Sequence, residues 1–491
     1  MVSVLETRTE FETGDVDAVM DGEIEGFVNA YLKYVWNIRG GRSLKASGLY
    51  SMDRYSFHLN DDSNESMGWQ NIIGALTYRS EHMAWTDFEA QLSMNSYSSS
   101  QRQVKDYRGT VNDLSLVSEM NEAVASARWT SFIGRKKRLS LGYGLKGRYA
   151  TFRPGQLATV RNESRTMLAS AHLQACYAIP EKLSVKAGVM GNWFMKFDQV
   201  PTNQPKPKTF SRIDPDINLS VHLQATKNLA IEATFDRIRQ YYHTLEGLPT
   251  GWSLDMIVPS GAKVTPETAT QGSIGFSYGA SSHHASIGGF YRHMEQLVYY
   301  KYGQTLFNGG LAVWEDDVNQ GKGDSFGIES VYEYSNGDWY GKASYTLSKT
   351  TRYGFQDVLD GAEFHARFDR RHVLNATVMW KGASIAFTLQ SGNWENAAPE
   401  KYPMHTFGED EWTASYFSGV NNYKMPLVLR LDLGYRHSFI TKNIRHELNF
   451  GICNVTNHFN PFMLYFDTNT ESWKMLALLP ILPNFSYRIE F

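Results

Sequence analysis

The sequence predicts an all-β chain folded as one large antiparallel transmembrane β-barrel, and three observations predict it. Runs of about 10 to 14 residues alternate apolar with polar side chains, the period-two signature of strands. The connections between runs alternate tight turns with long polar loops, as in barrels that cross a membrane. Aromatics make up 14% of the 491 residues (28 Tyr, 27 Phe, 12 Trp), and 40 Gly stand against 15 Pro, a balance that suits strands and turns.

Taken from the N-terminus, residues 1–22 read as an irregular segment or partial strand, and 23–491 as the barrel. Strands are predicted near 23–36, 43–58, 69–80, 85–98, 120–134, 138–152, 165–178 and 182–196. They continue at 214–226, 229–242, 269–280, 284–301, 324–336, 338–352, 369–381, 384–393, 426–440, 443–456 and 481–491, about 19 in all. In the run from 138, Leu139, Leu141, Tyr143 and Leu145 oppose Arg138, Ser140, Lys146 and Arg148. In the run from 182, Leu183, Val185, Ala187 and Val189 oppose Ser184, Lys186, Met190 and Asn192. Trp339, Ala343, Tyr345 and Leu347 oppose Tyr340, Lys342, Ser344 and Thr346. The clearest run sets Leu427, Leu429, Leu431, Leu433 and Tyr435 against Arg430, Asp432, Gly434 and Arg436, and Leu448, Phe450 and Ile452 follow against Glu447, Asn449 and Gly451. In the last run Phe485, Tyr487, Ile489 and Phe491 form an outward face with aromatics at the membrane boundary,. Tight turns fall at Gly134 to Lys137, Pro180-Glu181, Lys227-Asn228, Ser281 to His283, Asn336-Gly337 and Thr441-Lys442, and long loops at 99–119, 243–268, 302–323, 394–425 and 457–480.

Hydrocarbon is the environment that explains this pattern. Inside it every backbone N–H and C=O needs an internal partner, so only helices and closed barrels cross. With 42% hydrophobic residues, 20% charged residues and a mean hydropathy of −0.40, no run approaches the roughly 18 apolar residues of a spanning helix. A soluble sandwich also alternates, but its strands run about five or six residues. Net charge is −3, which gives no basic surplus for nucleic acid. Cys176 and Cys453 are too few and too far apart for a disulfide framework or a CxxC metal site. The opening MVSVLETRTEFETGDVD has neither the basic start nor the apolar core of a secretory signal.

The stretches FGICNVTNHFNPFMLYFD (450–467), LPILPNFSYRIEF (479–491), FDRRHVLNATVMWKG (368–382), GKGDSFGIESVYEYSNGDWYGKASYTLSKTTR (321–352), WSLDMIVPSGAKVTPETATQGSIGFSYG (252–279) and GGFYRHMEQLVYYKYG (288–303) together carry a family likeness. The chain resembles the C-terminal barrel of TonB-dependent outer-membrane receptors of the Bacteroidetes type. The resemblance implies a barrel of about 22 strands, closed by a separate N-terminal plug that carries the TonB-contacting box. It also implies import of a siderophore, a vitamin such as cobalamin, or a glycan-type ligand. Against that pattern the sequence reads as a barrel with its plug domain absent and the first few strands lacking; a short strand within Val2–Glu12 reduces the deficit. TonB would then act only through the missing N-terminal part, with outer-membrane lipid and a small-molecule or oligosaccharide ligand as the other partners.

No catalytic, cofactor or metal constellation emerges. Asp61-Asp62 with His58 could serve an outer-membrane hydrolase, but an acidic pair between Asn and Ser is ordinarily solvated. His283-His284 lacks spaced co-ligands. GKGDSFG lacks the glycine spacing of a P-loop and leads into a strand. Arg367, Arg370 and Arg371 around Asp369 are expected to fix a loop base by paired charges, with a contribution to the inner wall as the alternative. Ligand contacts are expected from the aromatic-rich external loops, at Tyr241, Tyr242, Trp252, Trp314, Trp394, Trp412 and Tyr416, because rings stack on sugar or siderophore faces. A passive porin is the first alternative, favoured by a signal peptide directly upstream of Met1. The hydrolase is the second, and it requires a Ser/His or Asp/His cluster at one loop rim.

Overall fold

In the computed structural model, the described residues are 6–8, 21–38, 40–60, 63–83, 85–107, 110–156, 163–199, 209–246, 255–301, 314–397, 400–405, 411–416, 419–442, 444–467, 472–478 and 480–490. They form one 21-stranded sheet and four two-stranded ribbons. Every pairing is antiparallel, and the wall follows chain order. All 19 predicted strands are present. The segment Glu6–Arg8 adds a short strand on Phe27 to Asn29 of its neighbour, as the expectation for Val2–Glu12 allowed.

One loop expectation is corrected. The stretch 99–119 belongs to the strands Thr86–Tyr107 and Thr110–Ile133, of 22 and 24 residues, which pair from Thr86↔Ser131 up to Tyr107↔Thr110. Both overrun the apolar band of about 25 Å, so this hairpin projects beyond the membrane. Its polar upper half (Ser98, Ser99, Ser100, Gln101, Arg102) suits water rather than lipid, which hid its strand character. Three other predicted loops, 243–268, 394–425 and 457–480, also coincide with strands: the ribbons Tyr242–Glu246 with Asp255–Pro259, Glu400–His405 with Glu411–Tyr416, and Asn460–Asp467 with Ser472–Leu478.

The tight rim has the geometry its residues dictate. Trp380 pairs with Ala383, so Lys381 and Gly382 alone make the turn, at φ 45° and 93°; positive φ at both positions gives the twist that adjacent strands need. Just above this rim, aromatic rings stand on the outward face. Trp129 stacks on Tyr143 at 5.8 Å and Trp339 on Trp380 at 5.5 Å, the placement of an interfacial girdle. Between the rims the same face carries exposed Leu92, Leu145, Val189, Leu219, Ile274 and Ile328.

Candidate functional site: the loop layer inside the wall

The buried side chains of this molecule cluster where loops fold over the inner wall. After Gln240 the chain leaves the wall and makes the ribbon Tyr242–Glu246/Asp255–Pro259, which lies across the strands Thr110–Ile133 and Leu139–Gln156. Alternation gives the ribbon two faces, and both are covered. On one, Tyr242 and Ile257 pack on Met120, Ala150 and Phe152. On the other, Leu245, Met256 and Val258 cluster with Leu116, Val264, Trp314 and Val318. Burying side chains of this size contributes about 1.5–3 kcal/mol each.

Polar contacts fix the root of the ribbon. Tyr241 stacks on the fully buried Phe194 at 4.9 Å and donates its hydroxyl to Asp214 Oδ2 at 3.3 Å. Tyr242 Oη lies 3.2 Å from Thr166 Oγ1, and the Arg148 guanidinium sits 5.3 Å from the Tyr242 ring centre. His243, 1% exposed, holds Glu267 through Nδ1 at 3.1 Å and Ser260 through Nε2 at 2.8 Å. Ser260 N–H donates to Tyr241 O at 2.8 Å, which closes the excursion.

A second excursion packs on the first. The short 3-10 turn Trp314–Asp316 places Glu315 2.5 Å from Lys196, with both side chains largely buried, and Asp316 pairs with Lys263. A side chain at Gly261 would meet Glu315 Oε1 and Lys196 Nζ at 3.1 Å, so glycine permits the close approach there. Asp317 is 5% exposed, and burial, then the neighbouring Asp316 charge, raises its pKa; the Asp316 hydrogen bond raises that of Lys263.

A third cluster lies at the rim. Arg367 Nε donates to both oxygens of Glu395 at 3.1 and 3.0 Å, and Asn393 joins at 2.9 Å. Asp369 accepts Thr350 N–H at 2.9 Å and contacts His365 Nδ1 at 3.1 Å. Arg370 donates to Ser391 O and Asn393 Oδ1, both at 3.2 Å, and burial lowers its pKa. Arg371 stands 4.0 Å from Asp369. The arginines pin loops here, as expected from sequence.

The ring residues singled out in the sequence therefore have different surroundings. Tyr241, Tyr242 and Trp314 are in the packed layer, their rings engaged by protein. Trp394 stacks on His365 at 3.9 Å and 4°, with Lys424 Nζ 6.0 Å from its ring. Trp412 and Tyr416 lie on the strand Glu411–Tyr416, opposite Met404 and Glu400; Trp252, Asp61 and Asp62 lie outside the described residues. His283 and His284 open a wall strand, and His283 Nδ1 contacts Tyr332 Oη at 2.8 Å. Cys176 and Cys453 are free thiols. Sequence reading missed His243, Phe194 and Lys196. One signal was available: Tyr241, His243 and Leu245, then Met256 and Val258, keep period two through a segment assigned to a loop.

Known proteins share this architecture. Residues 7–457 match the family model described as "TonB dependent receptor-like, beta-barrel". The fold is similar to BauA, the ferric preacinetobactin receptor from Acinetobacter baumannii (TM-score 0.64, 11% identity, 95% of this chain and 72% of that one). It is also similar to Fiu, the ferric-catecholate import receptor from E. coli K12 (0.63, 10%, 95% and 74%). The FrpB iron transporter from Neisseria meningitidis aligns over 98% of this chain and 76% of its own, at TM-score 0.64 and 11% identity.

Proposed function

Because the chain belongs to the TonB-dependent receptor β-barrel family, whose members are outer-membrane transport receptors rather than enzymes, we propose that it is the barrel of an importer for a siderophore, vitamin or glycan-type ligand. In this reading outer-membrane lipid wets the outward face, and the loop layer receives the ligand through rings such as Trp394, Trp412, Tyr416 and Trp252. TonB acts on a plug domain N-terminal to the barrel.

The ribbon folded across the inner wall is the observation that carries the proposal. A passive porin needs an open aqueous bore, whereas here Leu245, Met256, Val258 and Trp314 fill space inside the rim with packed apolar side chains.

The test is disruption of the gene in its own host, followed by uptake assays with ferric siderophores, cobalamin and oligosaccharides. One class is expected to lose uptake, and the same class on disruption of TonB. Unchanged uptake of all three, or uptake that survives loss of TonB, would overturn the proposal.

A further inference from the structure

The tight rim carries one strongly charged feature, the turn between the strands Thr110–Ile133 and Leu139–Gln156. It reads Gly134, Arg135, Lys136, Lys137, Arg138, four successive cations in a chain whose net charge is −3. The Cα atoms of the four span at most about 11 Å, which is about one screening length at physiological salt. Arg135, Lys136 and Lys137 are exposed and Arg138 is half-buried. Among the described residues none of the four makes an ion pair, although the neighbouring tight turns bring Asp87 and Glu181 to the same rim.

Turn geometry does not ask for these residues. Lys137 has φ 48°, and Lys381 and Lys442 stand in two other tight turns at φ 45° and 49°. At such left-handed positions Gly or Asn is the least strained residue. Lysine in all three turns accepts that strain and places a cation at the rim.

The cluster begins where the apolar face ends. Trp129 pairs with Tyr143, Ser131 with Leu141 and Ile133 with Leu139, so the girdle rings and these aliphatic side chains share the outward face, and Ile133 is 45% exposed there. Only Gly134 separates this last rung from Arg135. The cations therefore stand at headgroup level, on the side where such barrels have their periplasmic turns. The platform is fixed: Lys137 N–H donates to Gly134 O at 2.9 Å, Ala178 N–H of the neighbouring strand to Arg138 O at 2.7 Å, and Phe132 N–H to Trp85 O at 2.8 Å. Lys137 Nζ lies 5.4 Å from the ring centre of Phe132 and 6.0 Å from that of Trp85. Trp85 is half exposed, an indole beside cations as at a membrane interface.

We infer that residues 134–138, with Trp85, form a docking site for the headgroups of anionic phospholipids in the leaflet at the tight rim. The cations engage the phosphodiester oxygens, as arginine and lysine do elsewhere, and the acyl chains lie along Ile133, Leu139 and Leu141. An acidic protein would meet the charge but has no use for an apolar rung continuous with it; a lipid uses both. The inference rests on the membrane as solvent of the outward face and not on import, so its failure leaves the uptake experiment untouched.

The chain is reconstituted in vesicles of equal parts phosphatidylcholine and phosphatidylglycerol, extracted in mild detergent, and the retained lipid is counted by native mass spectrometry. Each Lys or Arg near an anionic surface is worth about fivefold in partitioning. Phosphatidylglycerol is therefore expected to be retained over phosphatidylcholine by at least about fivefold. The combined variant Arg135→Gln, Lys136→Gln, Lys137→Gln, Arg138→Gln should abolish that preference. Exchanging Lys for Arg and Arg for Lys at the same four positions should keep it, as should Lys381→Gln, which removes a rim cation already 3.6 Å from Asp338. Glycerophosphoglycerol, the same headgroup without acyl chains, should not displace the retained lipid. Equal retention of the two lipids, a preference that persists in the glutamine variant, or displacement by the soluble headgroup, which would make this a site for free phosphodiesters, would each overturn the inference. The comparison of the two lipids on the unmodified chain decides the matter even where a variant fails to fold.

Discussion

The arc of wall from Thr110–Ile133 to Leu183–Gln199 and the strand Leu482–Glu490 obey the same alternation, yet their inner faces differ completely. In the first arc Met120, Ala150, Phe152 and Phe194 are 0–6% exposed beneath the ribbon and its partners. In the second, all nine residues are exposed, and the strand pairs on one side only, with Ile444–Cys453; among the described residues no ladder joins it to Glu6–Arg8 or Asp21–Ile38. Backbone hydrogen bonds build both regions. Side-chain burial stabilises only the first, so stability is concentrated on that part of the wall.

Removing the cause of the asymmetry should have the largest effect. Replacement of residues 242–259 by a short Gly/Ser linker is expected to raise single-channel conductance in planar bilayers several-fold; an unchanged conductance would show that the ribbon does not obstruct the lumen. Phe194→Ala comes next. Truncating this fully buried ring, which supports Tyr241, should cost about 3–5 kcal/mol, read as faster amide exchange in the ribbon. Glu315→Gln removes the carboxylate 2.5 Å from the buried Lys196 ammonium and should cost up to about 3 kcal/mol, detectable as protease cleavage near residues 260–265.

A smaller and pH-dependent effect is expected at Asp317. Its folded-state pKa is raised, so folding favours the protonated form: the loop layer loses stability as pH rises through the folded value and is unaffected well below it,. Asp317→Asn should therefore slow local opening at pH 7 and leave it unchanged in acid, as measured by exchange at the two pH values. On the bare side, Arg488 and Glu490 sit 4.0 Å apart with more than half of each side chain exposed. Arg488→Gln should shift stability by less than about 0.5 kcal/mol; a larger loss in a urea titration would mean that this edge is covered in the membrane.

Much of the wall was legible. Leu429, Leu431, Leu433 and Tyr435 read as one face, and they occupy one face, paired with Leu389, Phe387, Ile385 and Ala383 of the adjacent strand. The stretch 99–119 was misread because strands beyond the membrane have no apolar face to mark them. The loop-base arginines were legible as structural because Asp369 sits among them in sequence. The contact between Lys196 and Glu315, 119 residues apart, left no local trace.

The sequence by itself determined the strands, their alternation and the membrane as solvent of one face, since each follows from side chains two residues apart and from backbone groups that must pair with a neighbour. Only the tertiary structure decided which loop turns inward and what it covers. Those depend on the curvature that brings Phe152 and Phe194 beneath one ribbon, and no short-range pattern encodes a distance across a barrel.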